Sequence, residues 1–472
     1  MKILFYNWLQ FDDVKVFGGG VNIYQKNLID YLINHTSHEI YFLSGGLKYN
    51  PFRDDAYIEK TTNIFGDKCH SFVMVNSPLL APALYVAYNP ETFLDDNITL
   101  NLFEKFVEEQ GGFDVIHLNN IEGISINVLK LKEKFPEIKI VYSMHNYVPI
   151  CPAVQYFQDF SQKICNDFHD GKDCLQCIKN VKFKTRDYLV RIRDCFNAPY
   201  PFNKLFAMFF WGKAKKFVPE KASDSEVFAK YRKYNINMLN KYADLVLAVS
   251  ERVRQIAINN GIDEKIVKTS YIGTKFAENT ERKYKTDNSD FQIVYLGYPR
   301  KDKGFYFMIE ALSKLDKNIA SSVSVKLAVP NCPRELVNDK LKNFKKVTVI
   351  NGYKHSELRG LLSDVDLGLV PVLWEDNLPQ VAIEMIASGV PVLSSSFGGA
   401  SELCDSELFK YRGGDVQDFL DKLSAFIKAP ELLNKYWSHN KKLVTMAEHV
   451  KELETLYSSR ASQSMEVLSR SV

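Results

Sequence analysis

The stretch "WEDNLPQVAIEMIASGVPVLSSS", Trp374 to Ser396, decides how the second half of this chain folds. It opens with acids and an Asn-Leu-Pro punctuation, and Pro379 suits the first turn of a helix, where a missing N–H costs nothing. Val381, Ala382, Ile383, Met385, Ile386 and Ala387 are apolar nearly all round, the pattern of a covered helix. Gln380, Glu384 and Ser388 recur every four residues as one polar stripe. Gly389 closes the helix, and "VPVLSSS" reads as a short, fully buried strand of the parallel kind. Glu384 is the anomaly, because a buried carboxylate is costly unless the fold or a ligand bonds to it.

The same alternation extends outward in both directions. The strand patterns "FQIVYLGY" (291–298), "VSVKLAVP" (323–330), "VTVING" (347–352) and "DLGLVPV" (366–372) precede it, with helix patterns between them. The polar tract 279–290 reads as a linker. Before it, "KILFYNW" (2–8), "EIYFLSGG" (39–46), "DVIHLNN" (114–120), "KIVYSMHN" (139–146) and "ADLVLAVS" (243–250) form another such series. Residues 47–100 break the rhythm and read as loops with an irregular helix. The fold class is therefore α/β: two doubly wound Rossmann-like domains facing a cleft, 1–278 and 291–428, with C-terminal helices over 429–472.

Composition excludes several functions. The 472 residues are 46% hydrophobic and 25% charged with net charge +3, too small a bias to imply nucleic acid as a partner. The chain opens "MKILFYNW" without the pattern of a secretory signal, and its longest apolar run, "LFAMFFW" at 205–211, is far short of the roughly 18 residues that span a bilayer. The eight cysteines then fit reduced thiols in a cytoplasm.

Open parallel sheets bind ligands at the carboxyl ends of their strands, and several notable residues fall there. Gly18, Gly19 and Gly20 lie between the first strand and first helix, where a bare backbone can approach an anion or simply make a turn. Lys303 stands at a helix start, unfavourable for the dipole unless an anion binds both; the alternative is a solvated charged loop with Arg300. Gly398 and Gly399 follow the last core strand, another place where free N–H groups could meet phosphate. His145 ends a first-domain strand, a position more often structural than functional. Asp376 precedes Glu384 by eight positions, about 12 Å along a helix, so the two acids could grip separate sets of hydroxyls.

These motifs together resemble family-4 retaining glycosyltransferases, which have the GT-B fold. "WEDNLPQVAIEMIASGVPVLSSSFGGASEL" is similar to the family's donor-site signature, with Asp376 in place of the usual first Glu of its E-x7-E pattern. "YLGYPRKDKGFYFMIEAL" resembles its phosphate motif, "SMHN" its first-domain histidine, and "ADLVLAVSERVRQIAINNGI" the segment before its linker. The resemblance implies transfer of a sugar from a nucleotide-diphosphate sugar to a carbohydrate or lipid-linked acceptor, without a metal or other catalytic cofactor. It implies Glu384 on the ribose, Asp376 with Asn377 and Leu378 near the sugar, Lys303 on the diphosphate and His145 on the sugar from the acceptor-side domain. One departure stands out: Tyr298 occupies the position of a diphosphate-binding Arg, so that either Arg300 or Lys301 reaches in from the loop in its place or the donor phosphate is held more weakly.

Residues 151–240 form an insertion of different character. Cys151, Cys165, Cys174 and Cys177 include a C-x2-C pair, which suits a structural zinc site, a disulfide or a set of free thiols. Between Lys172 and Lys216 eleven Lys/Arg stand against three Asp with aromatics interleaved, a composition that suits a membrane surface as well as a solvated face. Three functions fit: a glycosyltransferase of bacterial surface polysaccharide or glycolipid synthesis, a nucleotide-sugar epimerase of similar architecture, or a non-catalytic nucleotide-sugar-binding partner subunit.

Overall fold

The computed structural model describes residues 1–12, 19–50, 52–79, 81–82, 90–179, 222–284 and 290–459. Gly18 and most of the basic aromatic insertion, residues 180–221, lie outside the described residues.

Two sheets carry the fold. The first runs, edge to edge, Val267–Thr269, Leu245–Ala248, Lys139–Met144, Val115–Leu118, Lys2–Tyr6, Glu39–Lys48, His70–Val75 and Tyr57–Thr61. Every neighbouring pair is parallel except the last, Tyr57–Thr61 against His70–Val75. The second sheet runs Lys346–Ile350, Val323–Ala328, Phe291–Leu296, Leu367–Val370, Val392–Ser395 and Lys410–Tyr411, parallel throughout. In both, the strand order reverses beside the domain's first strand, which opens a crevice at the carboxyl ends next to it. Buried strands with near-continuous apolar character make this possible: Ile3 to Tyr6, Ile293 to Leu296 and Val392 to Leu393 are all within a few percent of fully covered.

Segment 47–100 differs from its sequence reading. It contributes the antiparallel edge hairpin above and two helices, Pro90–Asp95 and Ile98–Glu109. The outer strand Tyr57–Thr61 carries only exposed and half-buried residues, as an edge requires, and so lacks the apolar run that marks the central strands.

The helix at the heart of the opening stretch spans Gln380–Ala387, with Pro379 just before it at φ −68°. Gly389 follows at φ +79°, a left-handed position suited to glycine. Farther on, the C-terminal helix Met446–Ser458 lies on the first domain. His449 Nε2 meets Tyr24 Oη at 2.7 Å, Tyr457 Oη meets His117 Nδ1 at 2.6 Å, and Glu454 pairs with His38 at 2.8 Å. The chain thus returns across the cleft after completing the second domain. Among the described residues no helix is long and apolar enough to cross a membrane.

Candidate functional site

Between the carboxyl ends of the two sheets lies a cavity of about 460 Å³. Its lining brings together, from the first domain, Gly19, Gly20, Tyr24 and His145, and from the second Lys303, Asp376, Asn377, Leu378 and Glu384. These come from segments hundreds of residues apart in sequence, gathered because each follows the carboxyl end of a strand.

Lys303 Nζ lies 2.6 Å from Asp376 Oδ2 and 5.0 Å from the centre of the Trp374 indole ring. The ion pair and the ring hold the ammonium at the cavity wall, available to an anion that enters. Gly304 beside it has a steric reason to be glycine. It sits at φ +73°, and a Cβ there would stand 1.6 Å from the carbonyl oxygen of Pro371. Gly304→Ala is therefore expected to destabilise the second domain by about 2 kcal/mol or more, since both the dihedral and the contact oppose it. A urea titration checks this; an unchanged midpoint would show that the loop can move aside.

Glu384 is 3% exposed, faces the cavity and accepts a hydrogen bond from Tyr353 Oη at 3.1 Å. His355 Nδ1 stands 3.4 Å from its other oxygen. Burial raises the carboxyl pKa, while the charge of His355 and the Tyr353 hydroxyl pull against that rise. The fold therefore supplies a hydroxyl and an imidazole, and among the described residues no Lys or Arg pairs with this acid. Tyr353 and His355 were not legible as site residues in the sequence. The available signal was position alone: "GYKH" follows the carboxyl end of strand Lys346–Ile350.

His145 offers its ring to the cavity from the other side. Its Nε2 meets Asn119 Oδ1 at 3.2 Å, and the Tyr24 ring lies 5.2 Å away, centre to centre. Enclosure, reinforced by nearby His449, pushes the imidazole pKa down to about 3. The ring is neutral at physiological pH. The helix Gly20–His35 also points its N-terminus at the cavity; Gly19 gives it no side-chain cap, and Gln380 Nε2 bonds the Gly20 carbonyl at 2.6 Å.

Three expectations need correction. Arg300 does not reach the cavity: Asp302, two residues on, takes its guanidinium through bonds of 2.9 and 2.7 Å. Gly398 and Gly399 lie behind the donor-side loop, their N–H groups bonded to Glu375 Oε2 and the Asp376 carbonyl, both at 2.8 Å. A Cβ on either would meet the Asp376 or Asn377 carbonyl oxygen at 2.3 Å, so close backbone packing explains these glycines. The spacing of Asp376 and Glu384 is not eight helical steps, because the helix begins only at Gln380. Cys151, Cys165, Cys174 and Cys177 form no disulfide, and among the described residues no three potential ligands are grouped as a metal site. Cys174 packs with Ile178, Val227 and Phe228, and burial, reinforced by Cys151, pushes the Cys165 thiol up to about 12.

Residues 290–429 match the family model described as glycosyl transferases group 1. No curated protein matches the chain by sequence. Among solved structures, sucrose-phosphate synthase of Thermosynechococcus elongatus is similar over 97% of this chain and 98% of its own, at 13% identity and TM-score 0.57. HepE of Anabaena in complex with UDP is similar over 97% and 100%, at 15% identity and TM-score 0.57. The lipopolysaccharide outer core galactosyltransferase WaaB is similar over 96% and 98%, at 12% identity and TM-score 0.56. The chain has the GT-B fold of these structures, and within it residues 290–429 are similar to the glycosyl transferases group 1 family.

Proposed function

We propose that this protein is a retaining glycosyltransferase that moves a sugar from a nucleotide-diphosphate donor to an acceptor hydroxyl in the synthesis of a bacterial surface polysaccharide or glycolipid. The observation that carries the reading is Glu384, a buried carboxylate facing the interdomain cavity with a hydroxyl and an imidazole, and no Lys or Arg among the described residues, as partners. Vicinal ribose hydroxyls would complete its hydrogen bonding. HepE was solved with UDP and with UDP-glucose, which supports a nucleotide sugar as the donor class.

In this reading Lys303 and the uncapped N-terminus of helix Gly20–His35 stabilise the diphosphate as negative charge develops on it. Such fixed donors lower the barrier without a metal. Asp376 holds Lys303 until the diphosphate arrives, and the neutral His145 hydrogen-bonds a hydroxyl of the transferred sugar. The leaving phosphate oxygen takes the acceptor proton on the same face, so the anomeric configuration is kept.

Incubation of the purified protein with UDP-, GDP- and ADP-sugars tests the reading. Slow release of one nucleoside diphosphate with retention in the freed sugar is expected. Binding without turnover would make the protein a sugar-nucleotide-binding subunit, and an isomerised sugar nucleotide would make it an epimerase.

A further inference from the structure

Glu375, the residue just before Asp376, is fully buried, yet its charge partner comes from the other domain. Arg252, in the first turn of helix Glu251–Asn259, meets it with two parallel N–H···O bonds, Nε to Oε2 at 2.8 Å and a terminal nitrogen to Oε1. Gly398 N donates to the same Oε2 at 2.8 Å. The main-chain oxygen of Glu375 accepts from Tyr147 Oη of the first domain at 2.9 Å, and Asn377 Nδ2 reaches the Met144 carbonyl at 3.2 Å. A second carboxylate closes the same seam: Glu402 of the second domain accepts from the backbone N–H groups of Glu251 and Arg252, and from Tyr271 Oη at 2.7 Å.

We propose that Arg252 is a positioning residue of the donor site, acting through Glu375 to set the loop that carries Asp376 when the first domain closes on the second. The proposal rests on the donor-site reading of the cavity. A planar guanidinium bonded through two nitrogens constrains both distance and orientation, which a single contact would not. With the first domain swung away, Glu375 loses its only Arg or Lys partner among the described residues, and a buried carboxylate so stripped draws in water or rotates. The peptide of Asp376 moves with it, because Gly398 N and Gly399 N are bonded to Glu375 and Asp376 in turn. Closure thereby sets Asp376 and, through its ion pair at 2.6 Å, the Lys303 ammonium that meets the diphosphate, and an open molecule lacks that setting.

The experiment compares the full chain with Arg252→Ala, Arg252→Lys and Glu375→Gln, using Arg254→Ala as control. Arg254 lies on the same helix but pairs with Glu251 and Glu264, away from the cavity. Hydrogen exchange is measured on the ligand-free proteins, and UDP, GDP and ADP are then titrated. For Arg252→Ala and Glu375→Gln, amides 398 and 399 are expected to exchange at least tenfold faster, and the best-bound nucleotide to weaken at least tenfold. Arg252→Lys restores the affinity in part, and Arg254→Ala changes neither readout. Exchange at 398 and 399 within twofold of the parent in Arg252→Ala overturns the proposal, as does full nucleotide affinity in that variant. A parent that binds none of the three nucleotides defeats the donor-site reading, and with it the assigned role of Arg252, even if the exchange result stands.

Discussion

Glutamine in place of Glu384 is expected to weaken nucleoside-diphosphate binding roughly thirtyfold, about 2 kcal/mol, while the unliganded protein becomes harder to melt. The first effect follows from chemistry at the cavity. A carboxylate that accepts from two hydroxyls makes charge-assisted bonds, and the neutral amide offers one weaker acceptor and a misplaced donor. The second effect has the opposite sign. Burial raises the Glu384 pKa above its ordinary value of 4.5, so ionisation is harder in the folded chain than in the unfolded one. That cost is absent at low pH, sets in as pH rises through 4.5, and is fully present above the raised folded value. The substituted amide, uncharged at every pH and still able to accept from Tyr353, escapes it. Thermal shift with and without UDP, GDP and ADP reads both effects together. A variant stabilised by nucleotide as strongly as its parent would remove Glu384 from the ribose.

Acid should unfold this protein steeply below about pH 6.5. Burial pushes the imidazoles of His117 and His145 down to about 3 and that of His449 to about 4, from an ordinary 6.5. In each the unfolded chain binds a proton that the folded chain refuses, so the stabilising contribution is complete above pH 6.5 and is lost as pH falls towards those folded values. Each group contributes a slope of about 1.4 kcal/mol per pH unit, and three together about 4. Glu384 and Glu452, whose pKa values are raised, oppose the trend near its lower end. Against a typical total of roughly 5–15 kcal/mol, a fall of one to two pH units is decisive. The three rings serve one junction: His117 and His449 bond Tyr457 and Tyr24 between the C-terminal helix and the first domain, and the Tyr24 ring lies against His145. Residues 446–458 should accordingly show the earliest gain in hydrogen exchange on acidification. Urea titrations between pH 4.5 and 8 measure the slope, and His449→Gln should reduce it by about a third. Equal stability at pH 5 and pH 7 would show that the histidines take up protons without loss of the helix.

The central strands were readable because strands covered on both faces must be apolar throughout, and Ile293 to Leu296 or Ile140 to Tyr142 can be nothing else. The edge hairpin Tyr57–Thr61 with His70–Val75 was not, since half-covered strands resemble loops in composition. The polar stripe on helix Gln380–Ala387 pointed to the cleft because any polar residue in so apolar a helix needs a destination. Arg300 misled for a local reason: a long cation near a glycine loop looks like a phosphate ligand until a carboxylate two residues away takes it.

By itself the sequence determined the two α/β halves, the order of their strands along the chain, and the presence of Lys303, Asp376 and Glu384 at strand ends. Such features depend on periodicity and on position along one element, both local properties. Only the tertiary structure decided that Tyr353 and His355 face Glu384, that Arg252 crosses to Glu375, and that the last helix returns to the first domain. Those pairings join residues tens to hundreds of positions apart. They follow from how two finished sheets meet across a cleft, which no local pattern encodes.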